Sequence, residues 1–157
     1  MNNALSDIRV IGLTQAMAGP ICGMLLGDFG ADVLKVERPG SGDQSRGWGA
    51  RFVGSESAYF LSCNRNKRSI TLNLDTSEAV AILHELVART DVFLVNQPSL
   101  SSLKKRGMDS ETLRALNPRL VYVSITGYGF TGPKAGLAGY DLVAQGEAGL
   151  MSFTGEA

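Results

Sequence analysis

Short apolar runs, separated by stretches with helical spacing, set the pattern of this chain. Val10, Ile11 and Leu13 form one run, Val33, Leu34 and Val36 a second, Asp91 to Val95 a third and Leu120 to Ile125 a fourth. Runs this short and this continuous predict buried parallel strands. Ser69 to Leu74 instead alternates, with Ile70, Leu72 and Leu74 on one side, and predicts a strand as well. Between the first two runs, Ile21, Met24, Leu25 and Phe29 recur at helical spacing and predict a core-facing stripe. Gly19-Pro20 opens that helix, because proline suits the first helical position. Gly30 closes it in a left-handed residue. Asp75-Thr76-Ser77-Glu78 starts another helix, with Val80, Leu83, Leu86 and Val87 as its buried stripe. Shorter helices are predicted from Leu100 to Arg106, closed by Gly107, and from Asp109 through Leu116, stopped at Asn117-Pro118. Residues 38–49 have no period and many turn formers, so they form a long loop. Residues 57–62 fit a short strand or a helical turn. Glycines from Gly127 to Gly139 mark a last loop before a helix from Tyr140 to Leu150.

Strands alternating with helices predict an α/β fold, Rossmann-like, with a mostly parallel sheet and helices on both faces. The right-handed crossover leaves the turn after the first strand open at the carboxyl edge of the sheet, where such folds hold ligands. There is no internal repeat and no domain boundary. The last helix has no following strand to dock beside, which suggests a fragment of something longer.

The 157 residues suffice for one core, and 15 basic against 15 acidic side chains give no global field toward nucleic acid or membrane. No apolar run reaches membrane-spanning length and no signal pattern opens the chain, so the cytoplasm is the default location. Cys22 and Cys63 are too few for a disulfide framework or a metal site, and Cys22 reads as a small buried hydrophobe. His84, the single histidine, lies mid-helix with no second ligand near it and reads as structural. No metal site is expected.

A nucleotide is the first ligand to consider for the opening β-α-β unit. Glu37 ends the second strand, where an acid would bind ribose hydroxyls, but the Gly-x-Gly-x-x-Gly fingerprint is missing. Gly19, Gly23 and Gly27 are instead spaced by four, which puts them on one helix face for close packing. Basic residues fall in three groups: Arg38, then Arg65, Lys67 and Arg68, then Lys104, Lys105 and Arg106. Groups that follow strands gather at one sheet edge, where they would hold an anion such as phosphate, or else they are solvated surface. Asp141 could serve as nucleophile or base, or cap the last helix.

Several segments together resemble the family III CoA-transferases, the group that includes carnitine dehydratase, bile-acid-inducible protein F and formyl-CoA transferase. They are Leu-Thr-Gln-Ala-Met-Ala-Gly-Pro (13–20), Gly-Asp-Phe-Gly-Ala-Asp-Val-Leu-Lys-Val-Glu-Arg-Pro-Gly-Ser-Gly-Asp (27–43) and Ser-Ala-Tyr-Phe-Leu-Ser-Cys-Asn-Arg-Asn-Lys-Arg-Ser-Ile (57–70). Leu-Asn-Pro-Arg-Leu-Val-Tyr-Val-Ser-Ile-Thr-Gly-Tyr-Gly (116–129), Thr-Gly-Pro (131–133) and Gly-Tyr-Asp-Leu (139–142) continue the series. The resemblance implies an acyl-CoA:carboxylate CoA-transferase working through an aspartyl-CoA intermediate, with coenzyme A thioester and a carboxylic acid as substrates and no tightly bound cofactor. It implies an interlocked homodimer, of which residues 1–157 are the N-terminal part of the large CoA-binding domain, without the C-terminal remainder and small domain. It also implies CoA contacts at Met17, Ala18, Arg38, Leu72, Asn73, Leu74, Asp75, Asn96, Thr126, Gly127 and Tyr128.

Three departures from the family pattern matter. Val95-Asn96-Gln97-Pro98-Ser99-Leu100 stands where the family has Glu-Asn-Phe-Arg-Pro-Gly, with one extra residue before Gly107. Its basic phosphate contact then falls on Lys105, a point charge where a fork would be usual. The nucleophile of a Thr-Gly-x-x-Asp pattern, begun by Thr154-Gly155-Glu156-Ala157, is expected just after Ala157, so this chain would contain no catalytic residue unless Asp141 serves. Related 2-methylacyl-CoA racemases carry a histidine where Tyr140 stands, which favours transfer over racemisation. A non-catalytic CoA-binding or interaction fragment is the third reading.

Overall fold

Every predicted apolar run becomes a strand of a single parallel sheet. The computed structural model describes residues 3–155. In chain order its elements are β1 (Arg9–Leu13), α1 (Ala18–Asp28), β2 (Asp32–Glu37), β3 (Phe52–Val53), β4 (Glu56–Ser57), α2 (Ala58–Asn64) and β5 (Lys67–Thr71). They continue with α3 (Ser77–Val87), β6 (Val92–Val95), α4 (Leu100–Lys105), α5 (Ser110–Leu116), β7 (Val121–Ser124) and α6 (Asp141–Glu147). The sheet order is β5-β2-β1-β6-β7, all parallel. The strand order reverses between β1 and β6, which makes a crevice at their carboxyl ends. β3 and β4 form a separate two-stranded hairpin that the periodicity did not predict. Residues 57–62 resolve as helix, because the Ser57 hydroxyl accepts the Phe60 amide as an N-cap.

Alternate strand residues feed two apolar layers. Ile11, Val36, Phe93 and Val95 face Leu83 and Val87 of α3, Leu103 of α4 and Leu113 of α5. Val10, Val33 and Leu94 face the other way, with Cys22 and Leu26 of α1 packed against them. Each fully buried leucine or phenylalanine here contributes roughly 1.5–3 kcal/mol by leaving water. At the sheet's ends, Arg68 on β5 pairs with Asp32 at 2.7 Å, whereas Val121 on β7 is exposed.

Helix α1 departs from its predicted face and start. It begins at Ala18, so Pro20 sits within the first turn and not at its first position; its missing N–H still costs nothing there. Leu25 and Phe29, expected in the core, are exposed, while Gly19, Pro20, Gly23 and Met24 are buried. The glycine row is therefore the packing face. A Cβ on Gly23 would meet Lys67, Leu94 and Val33 at 3.5–3.7 Å, but one on Gly27 would lie 2.9 Å from the Asn66 carbonyl. Gly30 ends the helix region with φ of +103°, as predicted.

The loop after β2 is tethered from beneath. Arg46 forks onto Glu37 with two 2.8 Å hydrogen bonds, reaches Glu56 at 3.0 Å and lies 3.8 Å over the Phe60 ring. Ser69 and the Asp43 amide donate to the same Glu37 carboxylate at 2.6 and 2.8 Å. Gly42, with φ of +62°, passes so close that a Cβ would lie 2.8 Å from Glu37 Oε2. Burial pushes the Glu37 carboxyl up, but its hydrogen bonds with Arg46, Ser69 and the Asp43 amide, together with the Arg46 charge, outweigh that and hold it at about 2 instead of 4.5.

Two outcomes follow for stability. Gly27→Ala should lose about 1–2 kcal/mol in urea unfolding, because the overpacked contact with rigid backbone exceeds the gain in helix propensity. Gly23→Ala, with ordinary contacts, should be neutral or slightly stabilising; equal stability for both would mean α1 does not seat on its glycine face. A carboxyl held down in the fold stabilises fully above its unfolded value and progressively less as pH falls through its folded value. Glu37 should therefore withdraw roughly 2–3 kcal/mol as pH drops from 4.5 toward 2. Unfolding titrations across that window should show a shallower acid slope for Glu37→Gln than for the parent.

Candidate functional site

At the carboxyl edge of the sheet, the strand ends open into a cleft of about 1400 Å³. Leu13, Glu37, Leu72, Asn73, Leu74, Asp75, Asn96 and Ile125 to Gly127 reach it from five strands. Met17 and Ala18 enter from the start of α1, Arg38, Asp43 and Trp48 from the long loop, Tyr59 from α2, and Tyr140 and Asp141 from the last helix. Trp48 and Tyr59 meet edge-on, with ring centroids 5.5 Å apart. The wall is thus part aromatic and aliphatic, part amide and charge, as sites for mixed-polarity ligands are.

The turn from β1 to α1 forms the centre of this edge, and side chains from three other segments hold it. Lys35 Nζ donates to the Thr14 carbonyl at 2.6 Å and to Asp43 Oδ2 at 2.8 Å. Asp43 Oδ1 accepts the Ala16 amide at 3.2 Å and the Ser45 amide at 2.9 Å. Asn96 accepts the Gln15 amide at 2.9 Å and donates to the Gln15 carbonyl at 2.7 Å. Ala16 is left-handed, with φ of +64°, a conformation costing a non-glycine residue about 1–2 kcal/mol. Lys35 and Asp43 are 2% and 1% exposed and pair at 2.8 Å, so each buried charge has the other as its direct partner. Burial pushes the Asp43 carboxyl up, but Lys35 and Ser45 outweigh it and keep the group below the usual carboxylate range.

The residues implied by the family resemblance distribute unevenly. Met17, Ala18, Arg38, Leu72, Asn73, Leu74, Asp75, Asn96, Thr126 and Gly127 line the cleft. Lys105 lines a smaller neighbouring cavity beside Asp75 and His84, and it is Arg106 that reaches the cleft, bound to Asp75 at 2.6 Å. Tyr128 donates to Glu147 at 2.9 Å away from the cleft lining. The amide side chain of Asn96 is spent on Gln15. Arg38 is exposed and makes no ion pair among the described residues. Asp141 does not cap α6; Tyr140 occupies that position, and the Asp141 carboxylate accepts the Gln145 side chain at 2.6 Å. The position expected for the nucleophile, beyond Thr154-Gly155, lies outside the described residues.

The other candidates take structural roles. Arg65, Lys67 and Arg68 do not follow a strand; they precede and begin β5, at the opposite edge from the cleft. Arg65 and Arg68 pair with Asp28 and Asp32. Lys67 turns inward to the Pro20 and Cys63 carbonyls and Asn64 Oδ1, at 2.7–2.8 Å. Burial, and then the nearby Lys35 charge, lower it to about 8. His84 Nε2 meets the Gly107 carbonyl at 2.8 Å, and no metal-binding cluster exists among the described residues. Cys22 is half-buried and Cys63 buried. Glu37 is consumed by Arg46 and is not free for a ribose. The residues that escaped sequence reasoning are Lys35 and Asp43. The available signal was a lysine inside an otherwise apolar parallel strand, which demands an acid nearby.

Residues 5–157 match the model of CoA-transferase family III. Over 97% of its length the chain is 50% identical to a succinate–glutarate CoA-transferase of Agrobacterium fabrum, covering 39% of that protein. Over 99% it is 48% identical to the succinyl-CoA:glutarate CoA-transferase of Homo sapiens, covering 36% of it. A CAIB/BAIF family protein from Brucella suis has the same fold, with a TM-score of 0.92 and 47% identity over 99% of this chain and 42% of the other. The chain spans about two-fifths of the length of these relatives. With the family model matching residues 5–157, and relatives and a solved structure matching nearly the whole of this parallel-sheet chain, the chain belongs to CoA-transferase family III.

Proposed function

We propose that this chain supplies the CoA-binding part of an acyl-CoA:carboxylate CoA-transferase, and that the cleft at the sheet's carboxyl edge receives the CoA thioester. The observation that carries the reading is the cleft itself, at about 1400 Å³ larger than the ~300–1,000 Å³ usual for a compact small-molecule site. Such a space suits a long ligand with an aromatic head, anionic middle and amide arm. Arg38, which makes no ion pair among the described residues, offers a cation on its rim, and the backbone of Leu72–Asp75 and Thr126–Gly127 offers amides and carbonyls. Lys105, in the neighbouring cavity, adds positive charge beside the Arg106–Asp75 pair.

In this reading an aspartate, positioned just past Ala157, attacks the thioester carbon and the C–S bond breaks. CoA thiolate leaves, and a mixed anhydride remains. The thiolate then attacks the aspartyl carbonyl, the first acid departs as carboxylate, and an aspartyl-CoA thioester is left. The second acid takes CoA by the reverse steps. Relatives at 41–50% identity are named for succinyl-CoA or succinate with glutarate, D-citramalate or L-malate. We extend that to a dicarboxylic acid as acceptor here. A cytoplasmic, interlocked homodimer completes the proposal. It fits the exposed apolar side chains Leu142, Val143, Leu150, Met151 and Phe153 in and after α6, which a monomer would leave in water.

The test uses the full-length enzyme that carries this sequence, with succinyl-CoA and isotopically labelled glutarate. Labelled glutaryl-CoA should form, and Arg38→Ala should raise the KM for the thioester about tenfold, the loss of one charge-assisted contact, with kcat little changed. Deuterium entering the α-carbon of a 2-methylacyl-CoA in heavy water, with no transfer, would replace this reading with racemisation.

A further inference from the structure

We propose that Asp43 is a positioning residue: its buried carboxylate holds Ala16 in the left-handed conformation in which Ala16, Met17 and Ala18 line the cleft. This rests on the cleft being the thioester site. The β1–α1 turn has four of its backbone groups tied by side chains from elsewhere: the Thr14 carbonyl by Lys35, both Gln15 groups by Asn96, and the Ala16 amide by Asp43. A turn so heavily braced is holding a conformation it would not keep alone. Ala16 shows which conformation that is. At φ of +64° an alanine is disfavoured on the order of tenfold in population relative to right-handed backbone. Glycine would adopt it freely, yet alanine stands there.

The consequence lies immediately downstream. Ala18 and Gly19 begin α1, and their amides have no helical partner. Met17 precedes them as N-cap without a side-chain cap bond. Ala16, Met17 and Ala18 all line the cleft, so the backbone at Ala16 sets how the start of α1 meets it. Release of Ala16 to its preferred backbone would shift Met17 and Ala18 relative to the cleft, while the α1 glycine face, seated on β2, β5 and β6, stayed in place. Asp43 can act at this distance because it is itself fixed. Lys35 anchors one oxygen, and the Ser45 amide and hydroxyl anchor the other at 2.9 and 2.8 Å. The ordering device is thus the loop 38–49, folded back under the turn.

The test is second-site rescue in the full-length enzyme. Lys35→Met with Asp43→Ala removes the acceptor without leaving a buried charge alone. It should weaken CoA binding by isothermal titration about tenfold and speed hydrogen exchange of the Ala16 amide. Adding Ala16→Gly, which reaches the left-handed region unaided, should recover at least threefold of the affinity. Arg68→Ala, at the opposite sheet edge, is the control and should change neither. A general structural role for the pair would lower thermal stability without rescue by glycine, and that result overturns the proposal. So would unchanged affinity and exchange in the double variant. Should the double variant not fold, Asp43→Asn keeps the side chain's shape: faster exchange at Ala16 supports the proposal and unchanged exchange overturns it. Exchange at Ala16 is read without ligand, so a parent that binds no CoA would refute the functional reading while leaving the positioning result intact.

Discussion

A lysine can be buried in the middle of a parallel sheet only if something negative is brought to it. Lys35 imposes that requirement, and Asp43 meets it from a loop that carries one short 3-10 turn, Gln44–Gly47, which Asp43 itself caps. The ion pair gains little net stability against an apolar alternative, since both charges lose their water. Its value is geometric. It fixes where residues 38–49 return to the sheet, and a second buried carboxylate, Glu37, fixes their other end through Arg46. With Asp43 and Arg46 so held, the loop brings Arg38 and Trp48 to the cleft on either side of them. The two anchors together select one path for a glycine-rich sequence that by itself favours many.

The sheet was legible because parallel strands are buried on both faces and so appear as uninterrupted apolar runs. Helix α1 was legible in extent and in part in orientation. The apolar spacing points to Ile21, Met24, Leu25 and Phe29, of which Met24 alone is buried. The spacing of Gly19, Gly23 and Gly27 points instead to a close-packed glycine face, and that is the face on which the helix lies. The β3–β4 hairpin was illegible, being two residues long on each side. Placement of Arg65 to Arg68 failed for another reason: which edge a basic run occupies depends on whether it precedes or follows its strand, and the start of β5 lay two residues earlier than the alternation suggested.

The cleft was legible as a location, because strand ends and a reversal in strand order imply one. Its internal wiring was not. Gln15 and Asn96 are 81 residues apart, Arg106 and Asp75 31 apart, and no local pattern announces either contact. The family resemblance put most of its candidates on the edge where the cleft opens, without revealing that Asn96 spends its amide on the turn, or that Arg106 reaches the cleft where Lys105 does not. Asp141 illustrates the limit from the other side. Aspartate before a helix reads as a cap, yet the chain places Tyr140 there and puts the acid in the first turn, where the helix dipole still favours it.

The two ends of the sheet are chemically unlike. At the β5 end, Arg68 brings charge to the edge, and Asp32 answers it from the neighbouring strand. At the β7 end, Val121, Tyr122, Val123 and Ser124 carry none. Charge on an edge strand repels an approaching backbone, and its absence invites one. Among the described residues, the sheet's two margins therefore differ in kind, with a charged strand at one and an uncharged strand at the other.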